Sequence, residues 1–168
     1  MENCAVEVVV FMKRNGLVLA TAESCTCGLI ASSVADVPGA GSCLDRAFVT
    51  YSVSSKIEML DVNPTTVERF NLTSVEVAQE MARGALKASR ANVAISNTGV
   101  VDDTDAAIPA GTQCIAWAFE RAGQSGPMVY SEAIRLVGDR HEIRAQCAQY
   151  ALRRLPEYFR QSQLDMST

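Results

Sequence analysis

The chain has 168 residues, 48% of them hydrophobic and 20% charged, which suits one domain with its own core and excludes a disordered segment. A net charge of -4 and an isoelectric point near 5.0 argue against a nucleic-acid-binding surface, which needs a basic patch or stripe. The expected partner is a small molecule or another protein. The apolar run from Ala5 to Met12 is interrupted by Glu7 and is too short to cross a bilayer. It has no basic segment before it and no small-residue cleavage site after it, so a core helix, no membrane partner and a cytoplasmic location are expected.

The six cysteines are Cys4, Cys25, Cys27, Cys43, Cys114 and Cys147, and His141 is the single histidine. Only Cys25 and Cys27 are close together, and that spacing is not a zinc signature. Reduced, buried thiols and no metal site are the expectation.

Taken in chain order, Ala5 to Arg14 is predicted helical and ends at Asn15-Gly16, a C-terminal cap pair. Leu17 to Ala22 has the length and composition of a buried strand, and Thr26 to Ala35 follows as a helix stopped by Pro38-Gly39. Ala47 to Ser52 is rich in β-branched and aromatic residues and reads as a strand, then Ser54 to Leu60 as a short helix. Asn63-Pro64 marks a turn whose proline suits the first turn of a helix. Ser74 to Ser89 has the best helical pattern, with Val77, Met81, Ala85 and Ala88 on one face. Thr73 or Ser74 can cap it, and Glu76 stands three residues after Thr73, as in a capping box.

Asn92 to Asn97 is the next strand, and a polar loop runs from Asp102 to Ala110. Gly111 to Glu120 and Met128 to Leu136 are predicted strands joined by the turn segment from Ala122 to Pro127, a hairpin signal. Asp139 to Arg160 is a long last helix, and Gln161 to Thr168 is expected to fray. Residues 1–160 thus read as one domain and 161–168 as a tail. The alternation implies an α/β fold, a three-layer αβα sandwich around a mixed, mostly parallel sheet. Ligands in such sheets sit beyond the carboxyl ends of the strands.

Four segments there can carry chemistry. In Thr21-Ala-Glu-Ser-Cys-Thr-Cys-Gly28, Ser24 or Thr26 can cap a helix whose amides suit an anion such as phosphate; spacing alone favours a capped helix with nothing bound. Lys56, five residues after Tyr51, can serve as a base for a serine if desolvated, although a solvated helix face is the plainer reading. Thr98-Gly99 leads into Asp102, Asp103 and Asp105, which lack the alternation of a calcium loop and read as a solvated acidic loop. Arg140 and Arg144 share a helix face that can bind phosphate or carboxylate, or pair with neighbouring acids.

In order, Thr-Ala-Glu-Ser-Cys-Thr-x-Gly at 21–28, Asp-Val-Pro-Gly at 36–39, Val-Thr-Tyr-Ser at 49–52 with Lys56, Val-Ala-x-x-Met-Ala-x-Gly-Ala-Leu at 77–86, Thr-Gly-Val at 98–100 and Gly-Asp-Arg at 138–140 resemble the CinA C-terminal family. The resemblance runs from about residue 5 to 160. It implies a deamidase acting on nicotinamide mononucleotide without metal or cofactor: a lysine activates a serine nucleophile, a tyrosine and a threonine assist, and an arginine recognises the nucleotide. Lys56, Tyr51, Thr98 and Arg140 match four of those positions, and Ser24, Thr26, Gly28, Gly41 and Gly99 fall on the nucleotide-binding ones.

Two departures stand out. The nucleophile position holds Gly41, with Ser42 one place later; on a turn, one residue rotates a side chain by about 100°. The loop after Thr98-Gly99 has exchanged the family's glycines for aspartates, which are unfavourable near a phosphate, and Cys27 stands where glycine is common. The sequence therefore reads as a family member with weak or no deamidase activity on nicotinamide mononucleotide. The alternatives are an active amidohydrolase using Ser42 with Lys56, and a nucleotide-binding or regulatory homo-oligomer.

Overall fold

A computed structural model describes residues 4–103, 105–121, 123 and 125–165. Five strands form one sheet: β1 (Leu19–Glu23), β2 (Leu44–Val49), β3 (Val93–Gly99), β4 (Thr112–Phe119) and β5 (Met128–Arg135), in the order β2-β1-β3-β4-β5. β1 is parallel to both β2 and β3, while β4 is antiparallel to β3 and to β5. The sheet is mixed, and every strand except β4 runs the same way. The carboxyl ends of β1, β2 and β3 consequently meet at one end of the sheet, and the loops beyond them converge.

Side-chain size decides how the helices pack. One face carries Leu19, Val93, Ile95, Ile115, Trp117 and Phe119, under α1 (Ala5–Arg14), α2 (Leu29–Ala35) and the last helix, α6 (Arg140–Asp165). The Trp117 indole N–H donates to the Ala151 carbonyl of α6 at 2.8 Å, so its one polar atom is satisfied inside the core. The opposite face is small: Ala20, Ala22, Ala94, Cys114, Ala116 and Ala118. Small residues let α5 (Val75–Lys87) lie close over the sheet, and the Ser96 hydroxyl donates to the Ala78 carbonyl of that helix at 2.5 Å. α3 (Val53–Leu60) and α4 (Pro64–Phe70) complete this layer.

Local chemistry explains the element ends. Ser52 caps α3 by accepting from the Ser55 N–H, and Asn63 caps α4 by accepting from the Thr65 N–H, with Pro64 in its first turn. Ser74, not Thr73, caps α5 through the Val77 N–H, so the capping box expected from Thr73 and Glu76 does not form. α2 starts three residues later than expected because Cys27 (φ 49°) and Gly28 (φ 92°) occupy the left-handed region. α6 passes the expected end at Arg160 and continues to Asp165, whose carboxylate accepts the Tyr130 hydroxyl at 2.5 Å. The hairpin signal is realised as β4 and β5, with Phe119 opposite Met128; Ala122 and Gln124 of its turn, Thr104 of the polar loop and residues 166–168 of the tail lie outside the described residues. Among the described residues no helix is long and apolar enough to cross a membrane.

Gly84 is the tightest helix contact. A methyl group there would stand within 2.7 Å of the Leu60 carbonyl carbon and nearer still to its oxygen, because α5 rests on the end of α3. Gly84→Ala is expected to lower stability by about 2–4 kcal/mol in urea unfolding, despite alanine's better helix propensity.

Candidate active site

The parallel trio of strands sets Glu23, Val49 and Gly99 at neighbouring ends, so the loops at 24–28, 50–52 and 100–111 share one rim. α3 turns back over this rim immediately after β2. That turn carries Lys56 inward, and its side chain is fully buried. The Lys56 Nζ lies 2.6 Å from the Thr50 carbonyl, 3.4 Å from the Tyr51 carbonyl and 2.9 Å from the Ser24 hydroxyl. Among the described residues no carboxylate is paired with it, and burial pushes its pKa down from 10.5 to about 8. At neutral pH about one molecule in ten carries the free amine. In that form the two carbonyls still take its two protons, and its lone pair faces the Ser24 oxygen. A serine hydroxyl beside a desolvated lysine is a nucleophile–base pair.

A cavity of about 180 Å³ opens over Ser24, lined also by Cys25, Tyr51, Thr98, Gly99 and Arg140. Thr98 is buried and donates to the Leu72 carbonyl at 3.0 Å. The Cys25 N–H, next to the Ser24 hydroxyl along the chain, has no acceptor among the described residues. It is therefore available to an oxyanion. A larger cavity of about 310 Å³, lined by Arg83, Lys87, Arg90 and Arg121, contains none of these groups.

The expected phosphate cradle at Thr21–Gly28 is occupied from within. Glu23 is fully buried, and its carboxylate accepts the N–H groups of Gly28 at 2.8 Å, Ile30 at 3.1 Å and Ala31 at 3.0 Å. A carboxylate from β1 thus takes the place that an exogenous anion would fill at the start of α2. Thr26 donates its N–H to the Asn97 side chain at 3.0 Å, and its buried hydroxyl has no partner among the described residues. Neither Thr26 nor Gly28 lines the cavity. Arg144 also turns inward, onto the carbonyls of Cys25 and Thr26, so it braces the loop and does not share a ligand face with Arg140.

Gly41 and Ser42 lie elsewhere. They form a 3-10 turn, Ala40–Ser42, at the amino end of β2, where Leu19 accompanies Leu44. The Lys56 end of β2 is six residues away, roughly 15–20 Å along the strand. The Ser42 hydroxyl bonds the Gly39 carbonyl at 3.2 Å and is exposed. Within one chain both residues therefore lie at the opposite end of β2 from Lys56.

Several residues of the site were not anticipated from the sequence. Asn97 accepts the Ser24 N–H with its backbone carbonyl and ties the Thr26 loop to Gln113, to which its amide donates at 3.0 Å. Gln113 in turn donates to the Val100 carbonyl and occupies the space a side chain at Gly99 would need. The available signal was polarity: Ser96-Asn97-Thr98 and Gln113 sit inside otherwise apolar strands, and buried amides are retained only when hydrogen-bonded. At the rim Asp102 pairs with Arg140 and holds the guanidinium protonated, while Asp105 accepts from Asn71 at 2.9 Å. No group of three metal-ligating side chains occurs among the described residues.

Because the folded pKa of Lys56 is depressed, its charged form opposes folding below pH 8, and the penalty fades between about 8 and 10.5. Lys56→Met is therefore expected to raise stability at pH 7 by about 1–3 kcal/mol, less at pH 10, as read by urea unfolding at both values.

The profile of the CinA C-terminal domain matches residues 1–159. The chain is 38% identical to a nicotinamide-nucleotide amidohydrolase, PncC, of Enterobacter agglomerans over 154 residues, covering 90% of this chain and 91% of that protein. It is 40% identical to a CinA-like protein of Chlorobaculum tepidum over 89% of its own length but only 36% of that protein's, so it spans about a third of that longer relative. Among solved structures, the competence/damage inducible protein CihA of Agrobacterium tumefaciens superposes with a TM-score of 0.85 at 34% identity, covering 93% of both chains. A CinA superfamily protein of Escherichia coli superposes at 0.84 with 31% identity, over 94% of this chain and 89% of that one. A mixed five-stranded sheet with helices on both faces, the ordered motifs and a profile match along nearly the whole length agree, and the chain belongs to the CinA C-terminal domain family.

Proposed function

We infer that the protein is an amidohydrolase acting on the carboxamide of a nicotinamide ribosyl compound, with Ser24 as nucleophile and Lys56 as its base. The observation that carries this reading is the buried Lys56 amine, 2.9 Å from the Ser24 hydroxyl at the floor of the cavity. Ser24 gives its proton to the Lys56 amine and attacks the carboxamide carbon. The Cys25 N–H stands available to the oxygen on which charge develops. Lys56 then returns the proton to the departing nitrogen, which leaves as ammonia. A water, deprotonated by the same amine, opens the Ser24 ester to release the carboxylic acid. Tyr51, Thr98 and Arg140 line the cavity and position the substrate. Glycine at position 41 removes no group from this arrangement, which favours retained activity over a dead site.

The test is ammonia release from nicotinamide mononucleotide by the purified protein. Ser24→Ala and Lys56→Ala are each expected to lower kcat by at least about 10³-fold. Activity should rise with pH through about 8, the range in which the Lys56 amine loses its proton, and level off above it. Turnover that survives both substitutions would refute the reading.

A second reading has a specific observation behind it. β2 is an edge strand, and Val49 at its end, with Tyr51 just beyond it and Val53 at the start of α3, stand exposed as an apolar patch of the kind that a second copy can cover. Two β2 strands paired antiparallel about a two-fold set the start of one beside the end of the other. That brings Ser42 of a second copy toward Tyr51, so a homo-oligomer would carry a serine to each cavity in trans. Mixing inactive Ser42→Ala and Lys56→Ala proteins should then restore activity in the hybrid. Under the Ser24 mechanism Ser42→Ala alone keeps full turnover.

A further inference from the structure

We propose that the site takes a phosphate-free N-substituted pyridinium carboxamide, a nicotinamide riboside in preference to its 5′-phosphate, and that Asp102 sets that preference. The proposal rests on the amidohydrolase reading above and narrows its substrate.

Apart from the Cys25 N–H, which the amidohydrolase reading reserves for the oxyanion, the groups near the cavity that can hold a phosphate are committed, among the described residues, to acceptors of the protein itself. The amides at the start of α2 are taken by Glu23. The Arg144 guanidinium is taken by the carbonyls of Cys25 and Thr26. Lys56 lies beneath Ser24 and donates to the Thr50 and Tyr51 carbonyls. Arg140 remains as the cation on the cavity wall, and Asp102, on the same wall, is paired with it. The two side chains are 55% and 52% exposed, so the pair is accessible to a ligand and easily broken. Breaking it does not help a phosphate dianion, because the released Asp102 carboxylate stays beside the same guanidinium and repels the newcomer. Asp103 is exposed on the same loop and adds to that repulsion.

The same charges favour the other end of the substrate class. A pyridinium ring, which riboside and mononucleotide share, carries a positive charge that a rim bearing Asp102 and Asp103 attracts, so the discrimination between the two rests on the phosphate alone. Size points the same way: the cavity, about 180 Å³, lies below the roughly 300 Å³ at which ordinary ligand pockets begin. A riboside makes a smaller demand than its phosphate.

The direct test is calorimetric titration of the intact protein and of Asp102→Asn with nicotinamide riboside and with nicotinamide mononucleotide, using Ser24→Ala backgrounds to suppress turnover. Wild-type Asp102 should give the tighter binding to the riboside, and Asp102→Asn should shift the affinity ratio about tenfold toward the mononucleotide. Asp102→Ala, which removes the pair without leaving an amide, should move the ratio in the same direction. Tighter binding of the mononucleotide to the Asp102 protein, or a ratio unmoved by both variants, overturns this proposal while leaving the amidohydrolase reading standing. Binding of neither compound to any of the proteins overturns both.

Discussion

A buried ammonium group without a carboxylate is the constraint around which this protein is arranged. Lys56 enters the interior from the first turns of α3 and meets two backbone carbonyls and one hydroxyl, none of them charged. Neutral acceptors offset only part of the cost of removing a charge from water, so the proton is loosely held and the amine becomes available near neutral pH. Backbone topology sets this geometry, and the side chains of Glu23, Asn97 and Arg144 brace it. Parallel pairing of β1 with β2 and β3 sets the Ser24 loop between the Thr50 turn and Asn97, and the Ser24 N–H is anchored on the Asn97 carbonyl. The Ser24–Lys56 pair is thereby held by elements that cannot shift without breaking the sheet.

The second theme is substitution of internal groups for external ones. A helix start rich in small residues is commonly open to an anion, but here Glu23 reaches across from the strand and consumes three of its amides. Arg144 consumes the carbonyls of the same loop. The loop is consequently a rigid wall of the cavity and not a flexible cradle, with the Cys25 N–H left over. Cys27 shows what rigidity costs: it adopts φ 49°, where an L residue is strained by about 1–2 kcal/mol.

Much of this architecture was legible in the residues. Helix stops at Asn15-Gly16, the proline start of α4 and the β4–β5 hairpin follow from turn chemistry that acts locally. Composition also made the apolar strands evident, although β2 runs over Leu44–Val49, three residues before the expected Ala47 to Ser52. Tyr51, Thr98 and Arg140 were singled out in sequence and do meet around one cavity, because all three sit at loops beyond strand ends. What stayed hidden were pairings across long separations. Nothing local to Ser24 announces that its partner is Lys56, thirty-two positions away, and nothing local to Glu23 announces that its carboxylate turns back onto α2. The separation of Gly41 from Lys56, by contrast, follows from the expected strand between them, since an extended segment carries its two ends apart.

The proposed chemistry depends on the protonation of one amine. The most direct measurement is an NMR titration of the Lys56 side chain in the folded protein, following its Cε and Nζ resonances from pH 6 to 11, with Lys56→Met used for assignment. A midpoint near 8 that moves when Ser24 is replaced by alanine is the predicted result. A midpoint near the ordinary 10.5, unaffected by Ser24, would show that the amine is solvated and charged and would contradict the account.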